Sequence, residues 1–434
     1  MATSQTDSTQ HEIDCLLILP DALLITILSL LPTGIAARTS VLCRRFRDLW
    51  KACPSVDLSF MYDQLCRPPR TRALSNVAMA NSALFSRQPS DQSLLSLHIS
   101  LFLNFGSEGQ FLLPSDLTPS FISSLFAHAH SLGLRHLTLD GNWDFELFEI
   151  CLRSVFSISS LESLSICIRS QIPFPSATTL TRLKSLTINL DQDTSAQVRR
   201  LLLELCCLEH LELSIKGSLG GVSNLSSLTI KTLKLMIQPL ERTYSVGLSM
   251  PKLEFLYFTS VGSFGNLPHF HGDFPVLRES VITLCYLYPN DVAAVAQLLN
   301  CISHVEELSL KLEEAMDFDC PSGILLELGK RAPKFPNLKH LDARMCFHEH
   351  NFQAMVGILR QSPSLQSLKL IHVQVHHFGQ KRRKRNAWRS KLPRNTDGNH
   401  QHAYFSNLHL GENYKGFMKL LNKKFTLKKV QAHN

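Results

Sequence analysis

Residues 208–213 read Leu-Glu-His-Leu-Glu-Leu, and this spacing of apolar residues recurs along most of the chain. Apolar side chains at alternate positions share one face of a strand, so each block predicts a short β-strand with one buried face. The blocks begin at Leu94, Leu134, Leu161, Leu183, Leu208, Ile230, Leu253, Val305, Leu338 and Leu365. Ile, Val, Phe or Ala replaces some of the leucines. The chain therefore repeats one structural unit.

Helical patterns stand between several of the blocks, for example Val198 to Leu205, Val292 to Ile302 and Phe352 to Leu359. Most blocks are separated by 22–33 residues, which is near the leucine-rich-repeat range. The interval of 52 residues after Leu253 fits two units with one degenerate strand near Leu277. Strand and helix at a fixed period predict a stacked α/β solenoid with strands on its concave side.

The repeats are irregular, because the usual Asn or Cys after the strand occurs only at Asn142 and Cys346. A doubly wound α/β enzyme would also alternate strands and helices. Such an enzyme would have long apolar strands and a glycine-rich phosphate loop, and neither G-x-G-x-x-G nor G-x-x-x-x-G-K-[ST] occurs. The sequence favours the solenoid.

Composition limits the remaining classes. Apolar residues make up 44% of the 434-residue chain, enough to bury a large core. The apolar run Cys15 to Leu31 contains Pro20 and Asp21 and has no basic residue before it, so it fits neither a secretory signal nor a membrane span. The 12 cysteines show no C-x-x-C spacing, which favours free thiols in a reducing compartment. We expect a soluble, intracellular protein.

Two helical stretches precede the repeats. Pro20 and Asp21 suit the first turn of a helix that Pro32 ends. A second stretch starts near Thr33 and carries apolar residues on one face up to Trp50. So small a unit can hardly bury two apolar stripes internally, which predicts contact with a partner; a hairpin packed only on its own chain is the alternative.

Residues 18–58 closely resemble the F-box, from Leu19-Pro20-Asp21 through Leu31-Pro32 to Trp50 and the trailing Pro54-Ser55-Val56-Asp57-Leu58. Phe46 stands where plant members usually have Trp. The resemblance implies binding to a Skp-type adaptor and, through it, to a cullin. The positions matched to adaptor contacts are Leu19, Pro20, Leu24, Ile27, Leu28, Leu31, Pro32, Val41, Leu42, Phe46, Leu49 and Trp50.

The C-terminal region is similar to the FBD domain that follows the repeats in many plant F-box proteins. Residues 352–368 resemble its opening, and the stretches around Gly416 to Leu421 and Leu427 to Val430 resemble its closing helix and strand. The usual Cys-Leu between them is absent. Together these resemblances identify the chain as a plant F-box/leucine-rich-repeat protein with an FBD-like C-terminal region.

The expected organisation is α/β: an N-terminal helical F-box, then an irregular leucine-rich-repeat solenoid. The predicted boundaries are a disordered tail at 1–12, the F-box at 13–60, a linker at 61–93, the solenoid at 94–345 and the FBD-like region at 346–434, with a basic insertion at 381–394.

No catalytic set, metal site or cofactor site is expected. Histidine pairs occur at His128/His130, His269/His271, His348/His350, His376/His377 and His400/His402. Strand positions i and i+2 share a face and could support a metal, yet no Cys or carboxylate cluster of fixed spacing joins these pairs. Neither H-E-x-x-H nor G-x-S-x-G is present.

The expected function is that of a non-enzymatic substrate receptor of a Skp–cullin–F-box ubiquitin ligase, whose repeats bind an unknown target protein. Alternatives are a non-degradative scaffold and a basic-tailed nucleic-acid-binding protein. No membrane contact is expected, and nucleic acid is disfavoured. Exposed strand positions proposed for target binding are His136, Glu162, Lys184, Glu254 and Glu307.

The net charge of +8 is unevenly distributed. From Lys381 to Asn434 there are 14 basic residues against Asp397 and Glu412, so the rest of the chain is mildly acidic. The run Lys381, Arg382, Arg383, Lys384 and Arg385 predicts an exposed segment. A solvated insertion, a nuclear-import signal and direct nucleic-acid contact are its three interpretations, and the expected location is the nucleus, the cytoplasm or both.

Overall fold

The computed structural model describes most of the repeats and the N-terminal helices. The described residues are 18–61, 77–87, 93–102, 118–143, 145–168, 178–190, 195–217, 224–239, 245–261, 267–314, 324–345, 349–372, 402–406 and 430–433. The chain divides into two compact units, Met1–Asp191 with Glu204–Leu208, and Gln192–Leu203 with Glu209–Asn434. The predicted tail at 1–12 and the basic run at 381–385 lie outside the described residues.

The first unit begins with helices and continues as a parallel sheet. Its elements are α1 Asp21–Leu28, α2 Thr33–Arg38, a 3₁₀ turn Thr39–Val41, α3 Phe46–Leu49, a 3₁₀ turn Trp50–Ala52, β1 Ser55–Met61, a π turn Asn81–Phe85, β2 Ser96–Phe102, α4 Pro119–Ser131, β3 His136–Asn142, α5 Phe145–Val155, β4 Ser163–Ile168 and β5 Ser185–Leu190. The described strands pair in chain order, β1-β2-β3-β4-β5, and every pair is parallel. Chain-order parallel pairing is the arrangement that stacked repeats produce.

The second unit extends the same plan. Its elements are α6 Ser195–Glu204, β6 His210–Gly217, β7 Asn224–Ser226, β8 Thr232–Pro239, β9 Ser245–Ser249, β10 Phe255–Val261, β11 His269–Asp273, β12 Glu279–Leu287, a 3₁₀ turn Pro289–Asp291, α7 Val292–Cys301, β13 Glu307–Glu314, α8 Ile324–Arg331, β14 His340–Met345, α9 Glu349–Arg360, β15 Ser367–His372, β16 His402–Ser406 and β17 Val430–His433. Its larger parallel sheet has the order β6-β8-β10-β12-β13-β14-β15-β16-β17, and β11-β9-β7 form a smaller parallel sheet. The expected strand near Leu277 is confirmed as β12.

Alternating burial explains why the leucine pattern gives strands. In β3 the side chains of Leu137 and Leu139 are buried, and in β4 those of Leu164 and Ile166 are buried. The residues between them face the other side of the sheet and are partly exposed. Helices such as α7, which buries Val295, Leu298 and Leu299, cover the apolar face, so each repeat completes its core with its neighbours. The expected α/β class is confirmed.

The sheet and its core extend across three of the predicted boundaries. The sheet starts at Ser55, inside the segment assigned to the F-box, because β1 pairs in register with β2. The predicted linker 61–93 includes Ala83 and Leu84, which are fully buried, so part of it belongs to the core. The sheet also continues beyond 345, since β15 pairs with β14 from Ser367 onward.

Within the described residues no helix has the length and apolar character needed to cross a bilayer.

Candidate functional site

Exposed apolar side chains concentrate on the N-terminal helices. Among the described residues, thirteen large hydrophobic side chains are exposed, and eight of them lie between residues 18 and 42. We call these eight the apolar patch: Ile18, Leu23, Ile27, Leu30, Leu31, Ile35, Val41 and Leu42. Such a concentration of exposed apolar side chains in one short segment indicates an interaction site.

Helix α1 exposes apolar residues because it is apolar on nearly every side. Leu24 and Leu28 are 1% and 2% exposed and face the interior of the helical module, whereas Leu23 and Ile27 are 51% and 44% exposed. A helix that is apolar all round needs two apolar neighbours. The chain supplies one apolar neighbour on the side of Leu24 and Leu28, and the side of Leu23 and Ile27 remains exposed.

A cation and a short aromatic core hold these helices together. The guanidinium of Arg45 donates from Nε to Asp21 Oδ1 at 2.8 Å and from Nη2 to the Leu19 carbonyl. This ties the region after the second helix to the start of α1. Phe46 and Trp50 are 9% and 8% exposed, and the Trp50 indole N–H donates to the Arg47 carbonyl at 3.0 Å. The patch therefore rests on a packed support.

The structure divides the twelve predicted adaptor contacts into six exposed, two half-buried and four buried side chains. Pro20, Ile27, Leu31, Pro32, Val41 and Leu42 are exposed, and Leu19 and Leu49 are half-buried. The other four predicted contacts pack inside the module and have little exposed surface: Leu24, Leu28, Phe46 and Trp50. Sequence reasoning missed Ile18, Leu23, Leu30 and Ile35, although the all-round apolar character of α1 signals Leu23 and Leu30.

Hydrogen bonds join the helical module to the sheet of the first unit. The Asp57 backbone N–H in β1 donates to Thr33 Oγ1 at 2.7 Å, and Thr33 is the first residue of α2. Arg87, which is 3% exposed, donates from Nε to the Ala83 carbonyl and from Nη2 to the Cys53 carbonyl, both at 2.6 Å. Burial lowers the pKa of Arg87 to about 10. The Thr33 contact fixes α2 against β1, and Arg87 ties the π turn to Cys53, two residues before the strand.

The predicted target-binding residues fall into two structural positions. His136 and Glu307 are exposed and open strands β3 and β13, as predicted for strand positions. Glu162, Lys184 and Glu254 instead stand immediately before β4, β5 and β10, which corrects their assignment to strands. The repeat pattern places the two groups one residue apart, so their side chains point in different directions.

The residues that precede the strands form alternating rows of charge, which we call the charge ladder. In the first unit the ladder is Arg135, Glu162 and Lys184, and in the second it is Glu209, Lys231, Glu254, Arg278, Glu306 and Lys339. Each backbone N–H donates to the preceding ladder carbonyl at 2.8–2.9 Å, as from Glu162 to Arg135 and from Glu306 to Arg278. Neighbouring side chains therefore stand side by side with opposite sign.

Ion pairs along the ladder neutralise several of these charges. Lys184 Nζ lies 3.4 Å from Glu162 Oε2, and Lys339 Nζ lies 2.7 Å from Glu306 Oε2. The hydrogen bond from Lys184 lowers the pKa of Glu162, and that from Lys339 lowers the pKa of Glu306. A charge already paired inside the chain is a weak candidate for target recognition.

The first unit also holds an arrangement that resembles a hydrolytic triad. His98 Nδ1 lies 3.3 Å from Asp57 Oδ1, and Nε2 lies 3.1 Å from Ser100 Oγ. However, Nε2 also faces Asp140 Oδ2 at 3.4 Å. The hydrogen bond with Asp57 raises the pKa of His98, and this favours the protonated ring, which has no lone pair to accept the serine proton. In that form the arrangement is an ion cluster without a general base.

The histidine pairs do not form metal sites in the described part of the chain. No group of three or more His, Cys, Asp or Glu side chains there is arranged to hold a metal ion. The Nδ1 atoms of His269 and His271 lie 3.0 and 2.9 Å from the two side-chain atoms of Gln297. His128 Nε2 lies 3.0 Å from the Leu84 carbonyl oxygen. The pair His376/His377 lies outside the described residues, and so do His348 and His400.

Comparison with known proteins agrees with this geometry. The F-box domain matches residues 16–57, which contain the apolar patch and its support. An FBD-associated F-box protein of Arabidopsis thaliana is 26% identical over 365 residues, covering 82% of this chain and 78% of the relative. An F-box/FBD/LRR-repeat protein of the same plant is 32% identical over 227 residues, covering 49% of this chain and 46% of the relative. The chain has an F-box domain at its N-terminus and is a homologue of the FBD-associated F-box and F-box/FBD/LRR-repeat proteins of Arabidopsis thaliana.

Proposed function

We propose that this chain is the substrate-recognition subunit of a Skp–cullin–F-box ubiquitin ligase. The observation that carries the proposal is the apolar patch, exposed on a helical module that matches the F-box domain. F-box domains bind Skp-type adaptors, and an adaptor would supply the second apolar neighbour that α1 lacks. The chain would contribute proximity: it holds the target near the ubiquitin-loaded enzyme and raises its effective concentration.

The target would bind the exposed face of the parallel strands within one unit, at His136 in the first unit or at Glu307 in the second. Within each unit the parallel strands present this face, while helices or the smaller sheet cover the other. We propose the nucleus, the cytoplasm or both as the location of the complex. A scaffold that binds the same adaptor without degradation would leave the target's half-life unchanged when the chain is depleted.

The decisive experiment is Leu42→Asp in the full chain, with Leu228→Asp as its matched control. The two leucines are 71% and 73% exposed, so neither substitution should disturb the fold, but only Leu42 lies in the apolar patch. Burying a leucine contributes about 1.5–3 kcal/mol, and a desolvated carboxylate adds a further cost. We therefore expect Kd for a Skp-type adaptor to rise at least about tenfold in Leu42→Asp.

Binding would be measured by calorimetric titration with purified adaptor, and folding by circular dichroism. Leu228→Asp should bind like the wild type. If both variants bind the adaptor equally well, or if the wild-type chain does not bind it, the proposed function is wrong.

A further inference from the structure

His98 lies at the centre of three neighbouring strands in the first unit. It occupies β2, and it is in register with Asp57 on β1 and Thr138 on β3. Asp140 stands two residues further along β3, in register with Ser100. The carboxylates of Asp57 and Asp140 therefore approach the imidazole from opposite sides, at 3.3 Å and 3.4 Å.

The two carboxylates favour the protonated state of the ring, whereas Ser100 Oγ, 3.1 Å from Nε2, can accept from that nitrogen or donate to it and favours neither state. A neutral imidazole carries a single N–H, so it can donate to one carboxylate while its other nitrogen turns a lone pair toward the second. Only the imidazolium donates at Nδ1 and Nε2 together. The side chains of His98, Asp57 and Asp140 are 36%, 39% and 31% exposed, so solvent screens these interactions only in part.

The strand neighbours add no further charge to this cluster. Thr138 lies beside His98 on β3, and Ser100 shares its face of β2. Asp57 and Asp140 are the two charged groups that act on the ring from the adjoining strands. With the imidazolium the cluster carries one net negative charge, and with the neutral ring it carries two in close proximity. Loss of the proton is therefore unfavourable to the packing of all three strands.

Asp57 also connects the cluster to the F-box domain. Its backbone N–H donates to Thr33 Oγ1 at 2.7 Å, and Thr33, 5% exposed, begins α2. The same residue thus holds α2 through its backbone and the imidazole through its carboxylate. A change at His98 reaches the contact between α2 and β1 through one intervening residue.

We propose that protonated His98 is a pH-dependent tie that cross-links β1, β2 and β3 and, through Asp57, stabilises the attachment of helix α2 to the edge of the sheet. The tie is complete in slightly acidic conditions and weakens as the medium becomes alkaline. It concerns how firmly the F-box domain is held against the repeats, and it does not depend on which protein the chain binds.

The pH range in which the tie stabilises the fold follows from the shift in the pKa of His98. The hydrogen bond with Asp57 raises it above the ordinary 6.5, burial opposes the rise, and the charges of Asp57 and Asp140 add to it. A group whose pKa is higher in the folded state stabilises fully below the unfolded value of 6.5, and the stabilisation disappears as pH rises through the folded value.

Two measurements on the full chain test the tie. Histidine-labelled NMR should show that His98, assigned as the resonance missing in His98→Gln, titrates above 6.5 and moves down in Asp140→Asn. Hydrogen exchange of residues 55–61, corrected for intrinsic rates, should show less protection at pH 8 than at pH 6. His136→Gln is the control, since His136 is an exposed histidine on β3 and should leave both results unchanged.

A His98 midpoint at or below 6.5, or the same pH-dependent protection in His98→Gln as in the wild type, would overturn the proposal. If His98→Gln does not fold, Asp140→Asn decides the question. Wild-type protection at pH 8 that equals protection at pH 6 would also overturn it.

Discussion

Leu28 separates support of the F-box domain from contact with a partner. Its side chain is 2% exposed on the inner face of α1, beside Leu24 at 1%. Leu28→Ala removes three buried carbons, and core Leu→Ala changes cost about 2–5 kcal/mol. Because α1 is a short surface helix that can shift toward the gap, we expect the lower half of this range. For a unit of this size the melting temperature should fall by roughly 5–10 °C.

The assay pairs thermal unfolding by circular dichroism with adaptor titration at 10 °C and 37 °C. If Leu28 acts through packing, Leu28→Ala should bind almost normally at 10 °C and lose binding in parallel with folding as temperature rises. Leu42→Asp should show the opposite behaviour, with normal melting and weak binding at both temperatures. Normal melting together with weak binding at 10 °C in Leu28→Ala would refute our assignment of Leu28 to the core.

Two further predictions concern the repeats. Glu306→Lys places a cation between Arg278 and Lys339 on the charge ladder, so we expect its melting temperature to fall at low ionic strength and to fall less in about 1 M salt. Glu306→Gln should have an intermediate effect. A decrease in melting temperature that does not depend on salt would contradict the role of the ladder. Burial raises the pKa of the Cys151 thiol well above its ordinary value, whereas Cys206 is exposed. In a thiol-labelling time course at pH 8, Cys206 should therefore react in the native protein and Cys151 only after unfolding. If Cys151 is labelled in the native protein as fast as Cys206, α5 is not packed as described.

The repeat pattern predicted most strands because leucine alternation reports burial directly. The block beginning at Leu208 gives β6, and the pattern from Val292 to Ile302 gives α7. Strand β1 was missed because the buried residue that opens its block, two positions before the strand, is Cys53 and not a leucine, although Val56 and Leu58 complete the same spacing. A pattern that admits cysteine at the first position would have found it, since free cysteine is buried as often as aliphatic residues.

The smaller sheet shows what repeat length encodes. Between Leu208 and Ile230, and between Ile230 and Leu253, the intervals are 22 and 23 residues, and β7 and β9 lie within them. The 33-residue interval from Val305 contains helix α8. A strand rises about 3.3 Å per residue and a helix about 1.5 Å, so a short repeat can cross its outer side only as a strand. The lengths of the repeats therefore distinguish an outer strand from an outer helix, which the leucine periodicity alone does not.

The exposed side of the F-box helices was harder to predict because helical periodicity cannot distinguish an inner face from an outer face when both are apolar. Leu24 and Leu23 are adjacent and chemically identical, yet one is 1% and the other 51% exposed. The difference arises from what lies on each side: Phe46 and Trp50 come from later in the chain and complete the core on one side only. Tertiary packing decides which leucines remain available to a partner.

The pairing of charges along the charge ladder bears on where the proposed target would bind. Ladder charges alternate in sign and several are paired within the chain, so a target that approaches them must compete with existing partners and gains little. The first residues of the strands have no such alternation, since Glu279 and Glu307 are in register on β12 and β13. Burial raises the pKa of Glu279, and the charge of Glu307 raises it further. The charge of Glu307 therefore still acts on neighbouring groups at the sheet surface. Selectivity for the target is accordingly expected in the strand rows, with Glu307 a better candidate than Glu162, Lys184 or Glu254, and alanine substitution at Glu307 should weaken target recovery while adaptor binding is retained.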